Sequence, residues 1–349
     1  MDLFILLQDP GDDGSPTVLE EIAEATENAT MGGGIFAFAS PAGVQMLFGN
    51  EAFAEFVKHA PFDLVVGVDS ITNEKALDLL KKRAADYPSL NVRAFFHSRA
   101  ITFHPKFCWF TNAKHGRAIV GSGNLTPGGL FGNWEAFTIV DLDAMGAKTV
   151  QTQWAQWTAL HAKDLRDLDD PDVRNRAKKN KSRIIRAPDA EDSAMANKAS
   201  TGAADQVLVA EIPAAGTRWQ QANFDLKHFT GFFHLKPGTK RSVVLYHIDA
   251  AGNVEPAEQR QSVSVKSKNY RIELAAAPNV PYPAAAPPIS VFVRTGRRQF
   301  RYQVVMPGDP TYKYVDAILS KRWAGPPRFM RRVTLSATDL RAEWPGTPL

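Results

Sequence analysis

Short apolar runs of strand type alternate with helix-like segments through the first 140 residues, and this alternation limits the possible folds more than any other feature. Residues 34–39, 62–68 and 90–96 are typical of buried strands, whereas residues 44–60 and 73–87 have helical spacing. Further strand-like runs follow at residues 101–110, 117–121 and 134–140. Strand–helix–strand order is typical of α/β domains with a parallel or mixed sheet. The sequence therefore predicts an N-terminal α/β domain, a mixed sheet flanked by helices.

The periodic pattern is lost between residues 166 and 204, where Asp, Lys, Arg, Ala, Ser and Asn dominate. A segment of this composition can bury little surface and is typical of a linker. The chain has 349 residues, which is longer than one typical domain. We therefore expect an N-terminal domain at residues 1–165, a charged linker at 166–204 and a C-terminal domain at 205–349.

The last part of the chain has short strand-like runs at close intervals, separated by Gly and Pro clusters. The strand-like runs are residues 242–248, 261–265, 270–274, 289–294 and 300–305, and residues 224–233 are predicted as a helix. This pattern predicts a mainly β, barrel-like domain. From residue 205 onward there are 20 Lys and Arg against 11 Asp and Glu, whereas the preceding part has 21 against 26. A basic C-terminal domain indicates a polyanion partner, with a merely solvated basic surface as the alternative.

Several classes of protein are excluded by composition. Cys108 is the only cysteine, so a disulfide framework and a thiolate metal site are excluded. No apolar stretch is long enough to cross a bilayer, and the apolar run near the N-terminus is too short for a signal peptide. We expect a cytoplasmic protein with no membrane contact, no bound metal and no cofactor.

A histidine and a lysine two positions apart, His104 and Lys106, carry the chemistry that the sequence predicts. Alternate residues of a strand share a face, so a strand over 101–110 would place both side chains together. An imidazole can attack phosphorus and form a phosphohistidine, which splits a displacement into two steps. A neighbouring ammonium group neutralises charge on the phosphate oxygens. The pair is therefore a candidate phosphodiester site.

A small-residue loop and a carboxylate follow this pair in the sequence. Ser122, Gly123 and Asn124 come directly after a predicted strand and offer backbone, hydroxyl and amide donors to a phosphate. Glu135 begins the next predicted strand, where its carboxylate could accept a hydrogen bond from His104 and orient the ring. Each element alone is a weak signal, and the prediction depends on their conjunction.

The combined pattern resembles the phospholipase D superfamily, which is built on His-x-Lys followed by a Gly/Ser loop that ends in Asn. The Asp that usually follows the Lys is absent, and Phe110-Thr111-Asn112 stands in its place. The carboxylate after the loop is like the nuclease branch. The closest likeness is to phospholipase-D-type restriction endonucleases of the BfiI and NgoFVII kind, and the expected fold is therefore a phospholipase-D-like N-terminal domain.

This resemblance implies a role for each motif residue. The implied catalytic residues are His104, Lys106, Asn124 and Glu135, with Ser122 and Gly123 binding phosphate. A second imidazole must protonate the leaving oxygen and later activate water. The chain has His-x-Lys triplets at His104, His161 and His234, and only the first is followed by the small-residue loop that ends in Asn. We therefore expect a homodimer, formed through the nuclease domain, in which two copies of His104 share one active site.

The resemblance also implies that the C-terminal domain is a pseudobarrel like the B-three DNA-binding domain of plant transcription factors. Arg, Gln and Asn are the residue types that make paired contacts to guanine and adenine edges. The candidate DNA-binding residues are Arg218, Gln220, Gln221 and Asn223 in one arm and Arg294, Arg297, Arg298 and Arg301 in the other. Further phosphate contacts are expected from Arg328, Arg331 and Arg332.

Together these features predict a metal-independent, sequence-specific endonuclease of the type II restriction kind, acting on double-stranded DNA beside a cognate DNA methyltransferase. Two alternatives remain open. One is a nuclease subunit gated by a helicase-like ATPase, since the chain has no ATPase motif of its own. The other is a phosphatidyltransferase that acts on phospholipids. The single copy of His-x-Lys followed by a Gly/Ser loop argues against it.

Overall fold

Residues 2–180 form a domain built on a mixed α/β sheet. The computed structural model describes residues 2–180, 206–214, 219–239, 241–255, 257–261, 263–264, 270–277 and 280–349. The chain divides into two units, Met1–Ile185 and Arg186–Leu349. Among the described residues of the first unit, the strands are β1 (Asp2–Gln8), β2 (Met31–Phe36), β3 (Phe62–Gly67), β4 (Leu90–Phe95), β5 (Lys106–Thr111), β6 (His115–Gly121), β7 (Glu135–Asp143) and β8 (Leu165–Arg166).

These eight strands form one sheet in the order β1-β7-β6-β5-β2-β3-β4-β8. The pairs β2–β3 and β3–β4 are parallel, and the other neighbouring strands are antiparallel. Parallel neighbours need a crossover connection, which the helices between these strands provide. The predicted α/β domain with a mixed sheet is confirmed.

Capping side chains determine where the helices begin. The helices of this unit are α1 (Val18–Ala25), α2 (Pro41–Phe48), α3 (Glu51–His59), α4 (Glu74–Asp86), α5 (Ala144–Leu160) and α6 (Pro171–Lys179). The predicted helix over 44–60 is two helices, because the Asn50 side chain accepts from Phe53 N and starts α3. The Asn73 side chain accepts from Ala76 N and starts α4, while Thr72 Oγ1 accepts from Ala39 N at 2.9 Å.

The linker expected at residues 166–204 is not a linker in its first part. Strand β8 pairs with β4, and α6 buries Val173 and Ala177 completely. Arg174 on α6 also forms ion pairs with Asp78 and Asp169. The segment is folded because two apolar residues at helical spacing suffice to anchor a short helix when its polar side chains find partners on the domain. Residues 181–204 lie outside the described residues.

The second unit is mainly β. Its described strands are β9 (Gln206–Glu211), β10 (Gln221–Phe224), β11 (Ser242–His247), β12 (Glu258–Gln261), β13 (Val263–Ser264), β14 (Tyr270–Glu273), β15 (Ile289–Gly296), β16 (Gln299–Val305) and β17 (Arg332–Ser336). Its described helices are α7 (Leu226–Gly231), α8 (Tyr312–Arg322) and α9 (Ala337–Glu343). The predicted helix over 224–233 begins two residues later than expected, since Asp225 caps it.

The described strands of the second unit form a six-stranded sheet, β12-β11-β16-β15-β9-β17, and a three-stranded sheet, β10-β14-β13. A buried aromatic cluster that includes Phe229, Phe233 and Phe292 packs on the larger sheet. The expected pseudobarrel is not shown, because these strands do not close into a barrel within the described ranges. None of the helices in the described part of the chain is long and apolar enough to span a membrane.

Candidate active site

The predicted site residues of the first unit lie along one end of its sheet. Lys106 begins β5 opposite Phe36, which is the last residue of β2. Glu135 begins β7 opposite Gln8, which is the last residue of β1. Strand β6 ends at the same sheet end, where its last residue leads into Ser122. Strand register therefore gathers residues that are up to 30 positions apart in the motif region.

His104 and Lys106 are in direct contact. The ammonium Nζ of Lys106 lies 2.7 Å from Nδ1 and 2.8 Å from Nε2 of His104, and it donates to the His104 carbonyl oxygen at 3.1 Å. An ammonium can only donate, so the ring nitrogen that bonds it acts as an acceptor. The contact does not arise from strand alternation as predicted, since the strand begins at Lys106 and His104 lies in the preceding loop.

The two side chains differ in exposure. Lys106 is buried while His104 is exposed to solvent. Burial lowers the pKa of Lys106 below its usual value, and the negative charge of Glu135 opposes this effect in part. No carboxylate among the described residues forms an ion pair with Lys106. Its positive charge is thus left for an external anion.

Glu135 holds the small-residue loop. One of its carboxylate oxygens accepts a short hydrogen bond from Ser122 Oγ, and the other accepts from Asn133 Nδ2 at 3.2 Å. Ser122 also accepts from Ala136 N at 3.1 Å. The hydrogen bond expected between Glu135 and His104 is not seen among the described residues, and the two carboxylate oxygens contact Ser122 and Asn133 instead. Glu135 therefore fixes Ser122 in this structure.

Gly123 allows the loop to pack closely on a single π-helical turn, Gly128–Gly132. A Cβ atom on Gly123 would lie 2.5 Å from Gly129 O, and one on Gly129 would lie 2.4 Å from Asn124 N. Asn124 Oδ1 accepts from Phe38 N at 3.2 Å, and the Phe38 ring meets His104 edge-on at 5.6 Å. Asn124 and His104 are thus both tied to Phe38.

Gln8 is a site-supporting residue that the sequence did not reveal. It is almost completely buried, and its Nε2 donates to Asn133 O at 2.9 Å and to Gly128 O at 3.3 Å. Its Oε1 accepts from Val18 N at 3.1 Å. A buried amide with these three bonds fixes the turn that leads into Glu135. In the sequence, this role could have been inferred from a polar residue at the end of an otherwise apolar run.

His97, which follows β4, is buried. Its Nε2 faces Asp69 Oδ2 at 3.4 Å. His115 lies at the opposite end of the sheet, where it contacts Asn112. Within the described ranges no three His, Cys, Asp or Glu side chains come together as they would to hold a metal ion.

In the second unit, a polar surface is formed by strands β10 and β14. Gln221 and Asn223 alternate with the buried Ala222 and Phe224, as expected of a strand with one solvated face. Arg271 on β14 donates to Asn223 Oδ1 at 3.2 Å and lies 3.5 Å from Gln221 Oε1. Arg271 was not among the residues that the sequence predicted for this surface, because its position in a predicted strand does not show which side chains it contacts. Gln220 is partly exposed beside this face, and Arg218 lies outside the described residues.

The arginines of the other predicted arm do not share one environment. Arg294, Arg297 and Arg298 are buried, whereas Arg301 on β16 is exposed. Arg294 contacts His234 Nε2 at 2.9 Å, and Arg298 donates to Ser242 O. A guanidinium must be accessible to contact a base edge, so burial argues against the three buried arginines as DNA contacts.

The three arginines expected to touch phosphates also differ. Arg331 is paired with Glu211 and Asp316, and Arg332 is paired with Asp225. Arg328 is exposed, with its guanidinium 5.2 Å from the centre of the Phe329 ring. Only Arg328 of these three has its charge in a solvent-facing position without a carboxylate partner among the described residues.

No protein-family model and no curated protein matches this chain. Similar proteins were found among solved structures. The phospholipase D family member Nuc from Salmonella typhimurium is 16% identical over 48% of this chain and 98% of its own, with a TM-score of 0.34. NucT from Helicobacter pylori is 10% identical over 48% of this chain and 99% of its own, with a TM-score of 0.33.

Phosphatidylserine synthase from Haemophilus influenzae is 15% identical over 51% of this chain and 44% of its own, with a TM-score of 0.34. These similarities are too low to establish the family or the activity of this chain. The functional conclusion therefore depends on the residues of the site.

Proposed function

We propose that this chain is a nuclease of the phospholipase D superfamily that cleaves DNA phosphodiesters with His104 as the nucleophile. The observation that carries the proposal is the contact of Lys106 Nζ with both ring nitrogens of His104, at 2.7 and 2.8 Å, at an exposed sheet end. An exposed imidazole beside a cation without an acidic partner suits attack on an anionic diester. Asn124 adds an amide donor to the same site, while the Ser122 hydroxyl donates to Glu135.

The reaction would proceed in two displacements. A ring nitrogen of His104 forms a bond to phosphorus, and the bond from phosphorus to the leaving nucleoside oxygen breaks. That oxygen takes a proton from a second imidazole, which then accepts a proton from water as the water attacks the phosphohistidine. Lys106 stabilises the negative charge on the non-bridging oxygens in both steps. The products are a phosphomonoester, a free hydroxyl end and an unmodified His104.

The second imidazole would come from another copy of the chain. Strand β1 is an edge strand, and its Leu3, Ile5 and Leu7 side chains are more than half exposed on one sheet face. The register places Ile5 opposite Thr138 and Thr138 opposite Val120, so the exposed Val120 extends the same apolar face. An apolar face of this kind marks an interaction surface. It adjoins Glu135 and Ser122, so a second copy docked there would lie beside the site.

This dimer has a direct test in solution. Ile5→Asp would place a charge in the centre of the apolar face and should convert a dimer to monomers while lowering cleavage. Leu160→Asp is the matched control, because Leu160 is also exposed and lies at the end of α5. Sedimentation of both variants measures the difference. A wild-type monomer that cleaves DNA would exclude the shared site.

Sequence recognition would belong to the second unit. The polar face of Gln221, Asn223 and Arg271 has the residue types that read base edges, and Arg301 adds an exposed cation. Gln220 lies beside this face. A recognition surface in one unit and a cleavage site in the other fits an endonuclease of the restriction type on double-stranded DNA, with a cognate methyltransferase protecting the host sites.

Cleavage of a mixed pool of double-stranded DNA in EDTA tests the proposal. We expect defined fragments from the wild type, and no cleavage by His104→Ala because the nucleophile is absent. His115→Ala is the matched control, since this exposed histidine lies at the other end of the sheet. Full activity of His104→Ala, or a strict need for Mg²⁺, would refute the mechanism. Parallel reactions with ATP plus cell extract and with phospholipid vesicles test the gated-nuclease and lipid alternatives.

A further inference from the structure

We propose that Asp69 is a positioning residue that holds the loop bearing His104 in place. The loop connects β4 to β5 and is exposed at Ser98, Arg99, Ala100, Ile101 and Thr102. His104 is itself exposed, so side-chain packing alone does not fix it. The inference rests on the proposed function in one respect, namely that His104 is the reacting group.

Asp69 reaches the residue next to His104. Its Oδ2 accepts a hydrogen bond of 2.8 Å from Phe103 N. The Phe103 ring stacks on Phe95 with 4.0 Å between ring centres and 11° between planes. The peptide unit and the ring of Phe103 are therefore both anchored, and the next residue along the chain is His104. This leaves His104 only its own backbone and side-chain torsions to vary.

Asp69 is in turn held from a second direction. Its Oδ1 accepts from Arg176 of α6 at 3.0 Å, and Arg176 also donates to the His97 carbonyl oxygen at 3.3 Å. The Arg176 guanidinium lies 5.0 Å from the centre of the Phe96 ring. The Asp69 side chain is only 12% exposed. A carboxylate that is largely shielded from solvent and ion-paired keeps a single orientation, which is what a hydrogen bond that locates a catalytic loop requires.

Asp63, on β3, provides a matched comparison. Its carboxylate accepts from Asn91, Arg93 and Trp154 and is 22% exposed. It thus has as many partners as Asp69, yet none of them belongs to the loop before β5. Replacing either aspartate removes a paired carboxylate, but only replacing Asp69 releases the amide of Phe103.

The test compares Asp69→Ala, Asp69→Asn and Asp63→Ala in the full chain by two independent measurements. The first is hydrogen exchange at the Phe103 amide, which we expect to accelerate about tenfold in Asp69→Ala and less in Asp69→Asn, since asparagine keeps an acceptor oxygen. The second is DNA cleavage, where kcat should fall about 10- to 100-fold in Asp69→Ala with KM little changed. Asp63→Ala should alter neither measurement, although it lowers the melting temperature.

Two results would overturn the proposal. One is unchanged Phe103 exchange in Asp69→Ala, and the other is an equal fall in kcat for Asp63→Ala, which would indicate general destabilisation. The exchange measurement does not depend on enzyme activity, so it tests the positioning role of Asp69 separately from the proposed nuclease function. If the wild type cleaves no DNA, the proposed function fails, while exchange still reports whether Asp69 positions the loop.

Discussion

The two ends of the first sheet each place one cation on a central strand, and the two cations are treated in opposite ways. At one end, Lys106 contacts an imidazole and has no ion-paired carboxylate among the described residues. At the other end, Arg117 lies 2.7 Å from Asp141, 3.0 Å from Glu24 and 3.8 Å from Glu21. The first cation is left for an external anion, and the second is neutralised by the protein.

This difference separates cations that the fold has already paired from cations that it leaves available to an anion. A cavity of about 210 Å³ opens at the Arg117 end, yet its lining includes Glu24 and Asp141, which repel a phosphate. The second unit obeys the same distinction. Arg331 is paired with two carboxylates, whereas Arg301 is exposed on its strand. The presence of a cation is therefore less informative than whether the fold has already supplied its counter-charge.

The largest effect is expected at the unpaired cation. Lys106→Met keeps most of the side-chain volume and removes the charge that stabilises the phosphate oxygens, so the single-turnover cleavage rate should fall about 100- to 1,000-fold. Lys114→Met is the control, because this exposed lysine lies in the turn at the Arg117 end of the sheet. Rapid-quench cleavage measures both. Equal cleavage rates for Lys106→Met and the wild type would contradict the conclusion that Lys106, unlike Arg117, serves an external anion.

The sequence predicted the parts of the site that depend on local spacing. The order of strands and helices gave the mixed sheet, and the two-residue spacing correctly placed His104 beside Lys106. The predicted reason for this contact, alternation along one strand, was wrong. His104 lies in the loop before β5, Lys106 is the first residue of the strand, and the lysine side chain folds back onto His104. Proximity survives such an error because residues two apart are never far from each other.

The contacts of Glu135 could not be predicted, because they depend on cross-strand register. Glu135 bonds Ser122 since β6 and β7 pair with Gly121 opposite Phe137, and one shift in register would separate them. Gln8 supports the same turn from 125 residues away. The burial of Arg298 is also a tertiary property, since the Gly296–Gln299 turn alone is equally compatible with an exposed hairpin end.

The second prediction concerns a buried arginine of the second unit. Arg298 is fully buried and donates to the Ser242 carbonyl oxygen, so Arg298→Met should lower the free energy of unfolding by about 3 kcal/mol. Methionine is used because the position has a φ of 46°, and glycine would confound the result by relieving backbone strain. Urea unfolding measures the change. If the variant keeps its full stability but binds DNA more weakly, then Arg298 contacts DNA, as expected from the sequence.

The third prediction uses the neutralised end of the sheet. Burial, and then the charge of Glu24, raise the pKa of Glu21 from 4.5 to about 7, while Arg117 lowers it. A carboxyl group whose pKa is raised on folding binds its proton more tightly in the folded state. Its contribution to stability is therefore present below pH 4.5 and is lost as the pH rises through 7.

Glu21→Gln removes this titration, so the free energy of unfolding of the variant should decline less than that of the wild type between pH 5 and pH 8. The expected difference is about 1–3 kcal/mol, because one pKa unit corresponds to about 1.4 kcal/mol. Denaturant titrations at the two pH values measure it. Glu51→Gln is the control, since Glu51 lies in the first turn of α3 and is exposed. If the pH profiles of Glu21→Gln and the wild type are parallel, then the charge of Arg117 fully offsets the effect of burial and of Glu24 on the pKa of Glu21.

The smallest effect is expected at the exposed cation of the second unit. Arg301→Met should leave the unfolding free energy within about 0.5 kcal/mol, since surface substitutions rarely change it more. If Arg301 contacts a phosphate, the slope of log affinity against log salt concentration should fall by about 1 and affinity should drop equally for all sequences. If it reads a base, the loss should be confined to the recognised sequence. Lys313→Met on α8 is the control, and binding curves across a salt series decide between a phosphate contact, a base contact and no contact with DNA.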